Sequence, residues 1–258
     1  MDPIQRIFIE VWIRLTSDWS RVTTFHQMGV LGEDAAREAL HRSNTYFVQQ
    51  QLVRGTHRNW LKDPESFVRQ GFDQKMPLEM TEQSVKDFRR TLRASTLVFA
   101  HSILDAAVFD SVRICAMTAP DQWVDVIGNR KVTLTAIKKT SYGDLLREAI
   151  DAELVRLERA SLLSKVDRVF QVCRPTKQEY LTNGFHFDRD RLTRLDELRH
   201  KVVHSPGGDR GFETFYEDLE FMRNSGLHIF ALVGEHFGLG LNGTDYKEVL
   251  STRGSVKD

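Results

Sequence analysis

Apolar side chains recur at steps of three and four residues along nearly the whole chain, and this spacing limits the fold more than any other feature. An apolar stripe with this period is typical of an amphipathic helix that buries one face. No stretch of any length alternates between apolar and polar residues as a half-buried strand would. We therefore predict an all-α fold, with helices over residues 3–28, 33–54, 82–117, 143–158, 161–172, 188–204 and 212–237.

The segment from Gly55 to Pro77 is rich in helix breakers and interrupts the helical pattern. It predicts a boundary between an N-terminal helical extension, residues 1–78, and a main helical domain, residues 79–240, followed by a frayed tail over 241–258. Thr81 is the expected N-cap of the first main-domain helix, because its hydroxyl can accept a hydrogen bond from a free N–H. The nearly continuous apolar run from Leu97 to Val108 predicts that this helix is central.

The composition is that of a globular protein, with 41% hydrophobic and 28% charged residues. The 36 Lys and Arg residues balance the 36 Asp and Glu residues, so any surface that binds nucleic acid must be a local patch. The two cysteines, Cys115 and Cys173, form no Cys-x-x-Cys pair, which excludes a zinc knuckle and a thioredoxin-type redox site. We expect both cysteines to be buried thiols.

The first residues of the chain do not form the uninterrupted apolar run of a secretory signal, because Arg6, Glu10 and Arg14 break it. No stretch of the sequence approaches the roughly 18 apolar residues of a membrane span. We therefore expect a cytoplasmic protein that does not bind a membrane.

The most informative stretch covers residues 192–208. Leucines at 192, 195 and 198 and a valine at 202 form one apolar stripe, which a Ser-Pro-Gly-Gly breaker at 205–208 ends. The last helical turn before that breaker contains Arg199, His200, Lys201 and His204. Cations are favoured at the C-terminus of a helix by its dipole, so one interpretation of this cluster is ordinary helix-end electrostatics.

Arg-x-x-x-x-His from Arg199 to His204, followed by a helix stop late in a helical chain, resembles the signature motif of the HEPN superfamily. The resemblance implies a four-to-five-helix domain and the activity of a metal-independent endoribonuclease, in the setting of a toxin or a defence effector. It implies that Arg199 clamps phosphate and that His204 transfers protons, and that RNA is left with a 2′,3′-cyclic phosphate. His200 occupies the position that is usually polar in this family. A homodimer and a controlling antitoxin or sensor protein are the partners that such a function implies.

The chemistry of RNA cleavage agrees with this pair of residue types. RNA carries its own nucleophile, the 2′-hydroxyl, so the protein has only to move protons and to stabilise charge on phosphorus. A histidine does the first near neutral pH, and an arginine fork does the second. Five residues of helix turn through about 500°, which leaves Arg199 and His204 about 140° apart. Both can therefore reach one substrate only through a loosened last turn or a second copy of the chain.

Other residues are candidates for supporting roles. Asp105 lies among apolar residues, where a carboxylate needs a partner; we expect an ion pair with an arginine, or a role in orienting the catalytic pair. His200 is either part of the site or a surface histidine. A local basic run is either a solvated face or, together with Lys201, a contact for the RNA backbone; it contains Arg130, Lys131, Lys138 and Lys139.

Two further site types are rejected. His200 and His204 have a spacing that zinc can use, but Lys201 stands where the metalloprotease motif has glutamate, so we predict no metal and no cofactor. The Gly-x-Gly-x-x-Gly pattern over residues 238–243 follows a helix instead of a strand, and we interpret it as a helix stop.

Two alternatives to the nuclease remain open. The first is a non-catalytic HEPN-type module that binds a nucleotide, RNA or a partner protein. The second is a structural helical subunit whose apolar face over residues 4–25 binds a partner.

Overall fold

The computed structural model describes residues 1–55, 75–123, 140–175, 181–204, 212–241 and 243–253. Within these ranges there are eight α-helices and no β-strand, which confirms the predicted all-α fold. A short 3₁₀ turn, Thr182–Gly184, precedes the sixth helix. The helices are α1 (Pro3–Leu31), α2 (Glu33–Gly55), α3 (Lys75–Thr118), α4 (Tyr142–Glu158), α5 (Leu162–Cys173), α6 (Arg189–His204), α7 (Phe215–Phe237) and α8 (Gly243–Arg253). None of the described helices is long and apolar enough to cross a bilayer.

The described chain forms two compact units, one made of residues 1–22 and 97–258 and the other of residues 23–96. This division differs from the predicted one after residue 78, because α1 and α3 each continue from one unit into the other. The larger unit contains the motif helix α6 and is described first.

Helix α3 is central to the larger unit, as its apolar run predicts. Its residues Ala100, Leu104 and Val108 are fully buried. The first part of α1 and the whole of α7 contribute to the same core, where Phe8 and Phe230 stack with their ring centroids 4.4 Å apart. Burial of an aromatic or large aliphatic side chain contributes about 1.5–3 kcal/mol to stability, so this core fixes the helices around α3.

Ion pairs attach the shorter helices to one another. The Asp218 carboxylate, on α7, is fully buried and accepts hydrogen bonds from Arg191 and Arg194 of α6. Glu153 of α4 accepts from Arg168 of α5 at 2.7 Å. Breaking such a buried pair is costly because one charge is left without a partner, so these contacts fix the rotation of α6 and α5 about their axes.

Capping residues fix where the helices around the site begin. Ser161 is the N-cap of α5, and its Oγ accepts a hydrogen bond from the Ser164 N–H. Asp188 precedes α6, and its Oδ1 accepts a hydrogen bond from the Arg191 N–H at 2.9 Å. Cys115 and Cys173 are free and buried, as predicted. The hydrogen-bonding contact with the neighbouring Cys173 thiol, together with burial, raises the pKa of Cys115 well above its usual value.

The smaller unit combines the end of α1, α2 and the first half of α3. Arg89 of α3 forms a two-pronged ion pair with Glu33 at the start of α2. The Asn44 side chain donates to the Thr81 hydroxyl at 3.3 Å. Leu92 packs closely against Gly29, and a Cβ added there would lie 2.5 Å from its Cδ1, so a larger residue at this position would have to displace the Leu92 side chain.

Two predictions about helix ends are wrong. Thr81 is not an N-cap, because α3 begins at Lys75 and the Thr81 hydroxyl donates to the Pro77 carbonyl at 2.7 Å inside the helix. The tail after residue 241 is not frayed throughout, because Gly243–Arg253 forms α8, whose Val249 is buried against Ile9 and Ile13 of α1. Residues 56–74, the greater part of the predicted breaker-rich segment, lie outside the described residues.

Candidate functional site

The motif residues occupy the last two turns of α6, and the apolar stripe of that helix decides where they lie. Leu192, Leu195 and Leu198 are buried against the core. Arg199 follows Leu198 in sequence and is only partly buried, whereas His200 and His204 are exposed. The helix therefore directs Arg199 toward the edge of the core and leaves both histidines at the surface.

Arg199 lines a cavity of about 530 Å³ within the larger unit. Its Nε atom is sealed from solvent and has no hydrogen-bond partner among the described residues. The remaining wall comes from the middle of α3, the turn between α4 and α5, the first turn of α5, and Asp196 one helical turn before Arg199. Several of the lining side chains are charged, namely Asp105, Glu158, Arg159, Lys165 and Asp196.

His101 lines this cavity and has 4% of its side chain exposed. Its Nε2 is 3.0 Å from Oδ1 of Asp196, a distance typical of an ion pair, although the ring N–H is not aligned for a hydrogen bond. Burial lowers the pKa of His101 because it penalises the charged ring. Asp196 and Asp105 oppose that effect, and Arg199 adds to it.

Asp105 pairs with Lys165 on the opposite wall. Nζ of Lys165 lies 2.7 Å and 2.8 Å from the two carboxylate oxygens, and it also lies 5.6 Å from the centroid of the Phe109 ring. The expected ion pair of Asp105 thus exists, but its partner is a lysine and not an arginine. Asp105 lines the same cavity as Arg199, which makes it a neighbour of the motif arginine.

His200 and His204 interact with each other, with ring centroids 4.4 Å apart. Neither histidine lies among the described residues that line the cavity. Within the described residues no group of three His, Cys, Asp or Glu side chains could hold a metal ion. One copy of the chain thus presents Arg199 in the cavity and His204 on the outer surface.

No known protein family, curated protein or solved structure matches this chain.

The predicted RNA-contact residues divide into two groups. Lys201 is exposed in the last turn of α6, where its Nζ lies 3.7 Å from Oε2 of Glu197, a pair that contributes little to stability. The other four lie outside the described residues: Arg130, Lys131, Lys138 and Lys139.

Five titratable side chains of the cavity were not found from the sequence, and two of them had a usable signal. Asp196 precedes Arg199 by one helical turn and therefore shares its face. Lys165 interrupts an apolar stripe of α5, as Asp105 interrupts that of α3, and two such isolated opposite charges are natural partners. His101, Glu158 and Arg159 have no comparable signal, because only the packing of the helices brings them to the cavity.

Proposed function

We propose that this protein is a metal-independent endoribonuclease in which Arg199 holds a phosphate of the RNA backbone and His204 transfers a proton. The observation that supports this proposal is an unsatisfied nitrogen in the Arg199 guanidinium. Its Nε is buried without a hydrogen-bond partner among the described residues, at the wall of a polar cavity. A buried donor without an acceptor is costly, and a phosphate oxygen would satisfy it with a strong charge-assisted bond.

In the proposed reaction, the RNA 2′-oxygen attacks the adjacent phosphorus, and the bond from phosphorus to the 5′-oxygen of the next nucleotide breaks. One proton leaves the 2′-hydroxyl and one is delivered to the 5′-oxygen. The products are a 2′,3′-cyclic phosphate and a 5′-hydroxyl. His204 is exposed and able to exchange protons with a substrate, while Arg199 stabilises the negative charge that develops on phosphorus.

The proposal includes a homodimer, since Arg199 and His204 do not face the same cavity within one chain. Two copies of α6 along a two-fold axis would place the arginine of each copy near the histidine of the other, because a two-fold interface uses the same surface twice. A toxin or a defence effector is the biological setting that we propose for such an activity, with a controlling partner protein.

The test uses the purified full chain, mixed RNA and an excess of EDTA. We expect cleavage that leaves cyclic phosphate ends, and a loss of about 100-fold or more in Arg199→Ala and in His204→Ala. Arg147→Ala is the control, since it removes a cation of α4 that is 77% exposed and lies outside the cavity lining. Full activity of both motif variants on RNA would reject the proposed chemistry.

A mixing experiment tests the shared site. If each site takes its arginine from one copy and its histidine from the other, inactive Arg199→Ala and inactive His204→Ala chains restore one intact site in every mixed dimer. Random pairing at equal amounts then gives about a quarter of the wild-type sites. Inactivity of the mixture, with mixed dimers demonstrated, contradicts the shared site.

A non-catalytic module that binds a nucleotide or RNA is the second candidate. The position of His204 outside the cavity lining favours this candidate, because a ligand in the cavity would contact Arg199 but not the histidine of the motif. In the same assay this candidate leaves RNA intact but shifts its electrophoretic mobility.

A further inference from the structure

The two cysteines of the sequence meet in the core of the larger unit. Sγ of Cys115 lies 3.9 Å from Sγ of Cys173, although the residues are 58 positions apart in the chain. Cys115 belongs to the last turn of α3, and Cys173 is the last residue of α5. No local motif brings the two thiols together, so their contact results from the packing of α3 against α5.

The geometry of this thiol pair is close to that of a disulfide. The sulfur atoms of a disulfide are about 2 Å apart, so the two thiols have to approach each other by about the same distance. Rotation of a cysteine side chain about its Cα–Cβ bond moves the sulfur atom. Arg174, with a φ of 46°, ends α5 directly after Cys173. A small shift of Cys173 therefore does not disturb a helix that continues beyond it.

The surroundings of the pair favour chemistry between the two thiols themselves. Both cysteines belong to the main apolar cluster, and each thiol is a hydrogen-bond partner of the other. A structural zinc site takes four ligands, whereas the described residues contain no group of three His, Cys, Asp or Glu side chains that could hold a metal ion. Oxidation of the pair to a disulfide needs no further ligand from the protein.

The two thiols differ in their access to solvent. Cys115 is fully buried, whereas 5% of Cys173 is exposed at the end of α5. The contact with the Cys173 thiol, together with burial, raises the pKa of Cys115, and the thiolate is the form of cysteine that reacts with oxidants. Cys173 is therefore the sulfur that a small oxidant reaches first, and Cys115 is placed to react with the product.

We propose that Cys115 and Cys173 are a site of reversible oxidation, at which hydrogen peroxide converts the two thiols into an intramolecular disulfide. In the first step the sulfur of Cys173 attacks one oxygen of the peroxide and the O–O bond breaks. A sulfenic acid forms, and the second oxygen leaves as water with the thiol proton. In the second step the sulfur of Cys115 attacks the sulfenic sulfur, and the S–OH oxygen leaves as water with the proton of Cys115. The thiols lose two electrons, which reduce the peroxide, and a dithiol reductant reverses the oxidation by exchange.

The disulfide would join the end of α3 to the end of α5, the helices that carry Asp105 and Lys165 on the cavity wall. A cross-link between distant residues restricts the unfolded chain, so the oxidised protein should be more stable than the reduced protein. Neither cysteine lines the cavity, and neither has a part in the proposed RNA cleavage. The oxidation site therefore does not depend on the proposed nuclease.

The test treats the reduced full chain with hydrogen peroxide at about pH 8, where thiols begin to ionise. Remaining thiols are alkylated in urea, and the digested protein is analysed by mass spectrometry. Peptides are compared because peroxide also adds oxygen to exposed methionines such as Met28, which is 68% exposed. We expect a cross-linked peptide that contains Cys115 and Cys173, and its loss after treatment with dithiothreitol. The Tm of the cross-linked chain should rise by about 5–10 °C.

Cys173→Ala should abolish both the cross-link and the rise in Tm on oxidation. Met117→Leu is the matched control, because it removes an oxidisable sulfur, 47% exposed, from the same turn of α3 and should preserve both effects. Three results for wild type overturn the proposal: both thiols stay free, the disulfide links two chains, or the Tm falls when the cross-link forms. These wild-type measurements decide the matter even if Cys173→Ala does not fold.

Discussion

Lys165 and Asp105 form an ion pair in which the lysine is buried and the aspartate is partly exposed to water. Nζ lies within 2.7 Å and 2.8 Å of the two carboxylate oxygens. Only 3% of the lysine side chain is exposed, compared with 37% of the aspartate side chain. The ammonium group is thus solvated by the carboxylate, whereas the carboxylate can also be solvated by water.

Removal of the charge on Asp105 should therefore cost more than removal of the charge on Lys165. We expect Asp105→Asn to lower the free energy of unfolding by about 2–4 kcal/mol, because it leaves a buried cation without a counter-ion. Lys165→Met should cost about 1 kcal/mol, since the aspartate then faces water and the new side chain is apolar. Urea denaturation measures both values. The control Asp151→Asn changes an exposed carboxylate of α4, and equal losses in the two pair variants contradict the asymmetry.

Stability should fall when the pH is lowered from 7.5 to 5.5, and His101 should cause part of that fall. Burial lowers the pKa of His101 below its ordinary value of 6.5. The unfolded chain therefore takes up a proton at a higher pH than the folded chain does. The resulting stabilisation is complete above about pH 6.5 and is lost as the pH falls toward the lowered pKa. His26 and His228 act in the same direction, since burial lowers the pKa of each.

The measurement compares urea unfolding of wild type and His101→Gln across this pH range. The variant should lose less stability on acidification than wild type does. Glu153 does not interfere, because its pKa is lowered from an ordinary value of 4.5 and its contribution is lost only at still lower pH. His236→Gln, a change of an exposed ring on α7, is the control. If His101→Gln loses as much stability on acidification as wild type does, His101 does not cause the loss.

Gly234→Ala should destabilise the protein, whereas Gly143→Ala should not. A Cβ at position 234 would lie 2.7 Å from Cζ of Phe8 and 2.9 Å from the Leu239 carbonyl oxygen. The expected cost is about 1–3 kcal/mol, as for other overpacked cores. At Gly143, in the first turn of α4, the nearest atom is 3.9 Å away, so alanine should be neutral or stabilise by about 0.5–1 kcal/mol. Melting temperatures of the two variants should differ in this order, and a reversed order refutes the packing argument.

The sequence predicts the helices well because helical spacing is a local property. Errors occur where two local interpretations share the same residues. The Thr81 hydroxyl can cap a helix start, but it can equally donate to the carbonyl four residues earlier within a helix, as it does with Pro77. Helix α8 was not predicted, because Val249 is buried by contact with Ile9 and Ile13 from the opposite end of the sequence.

In the candidate site, too, residues close to the motif in sequence can be predicted, whereas residues from distant segments cannot. The motif identified Arg199, and helical geometry could have added Asp196 on the same face. Lys165, Arg159 and His101 come from separate segments, so their meeting depends on how α3, α5 and α6 pack. The prediction that Arg199 and His204 act on one substrate stays a prediction, since one chain leaves His204 outside the cavity lining.

The segmented origin of the cavity wall has a practical consequence. Side chains from α3, the α4–α5 turn and α6 meet only when the chain is folded, so a molecule that occupies the cavity binds the native state and not the denatured one. Such a molecule raises the free energy of unfolding, by about 2.7 kcal/mol when its concentration is 100 times its Kd. Thermal-shift screening of a nucleotide library can therefore reveal an occupant before any catalytic assay exists.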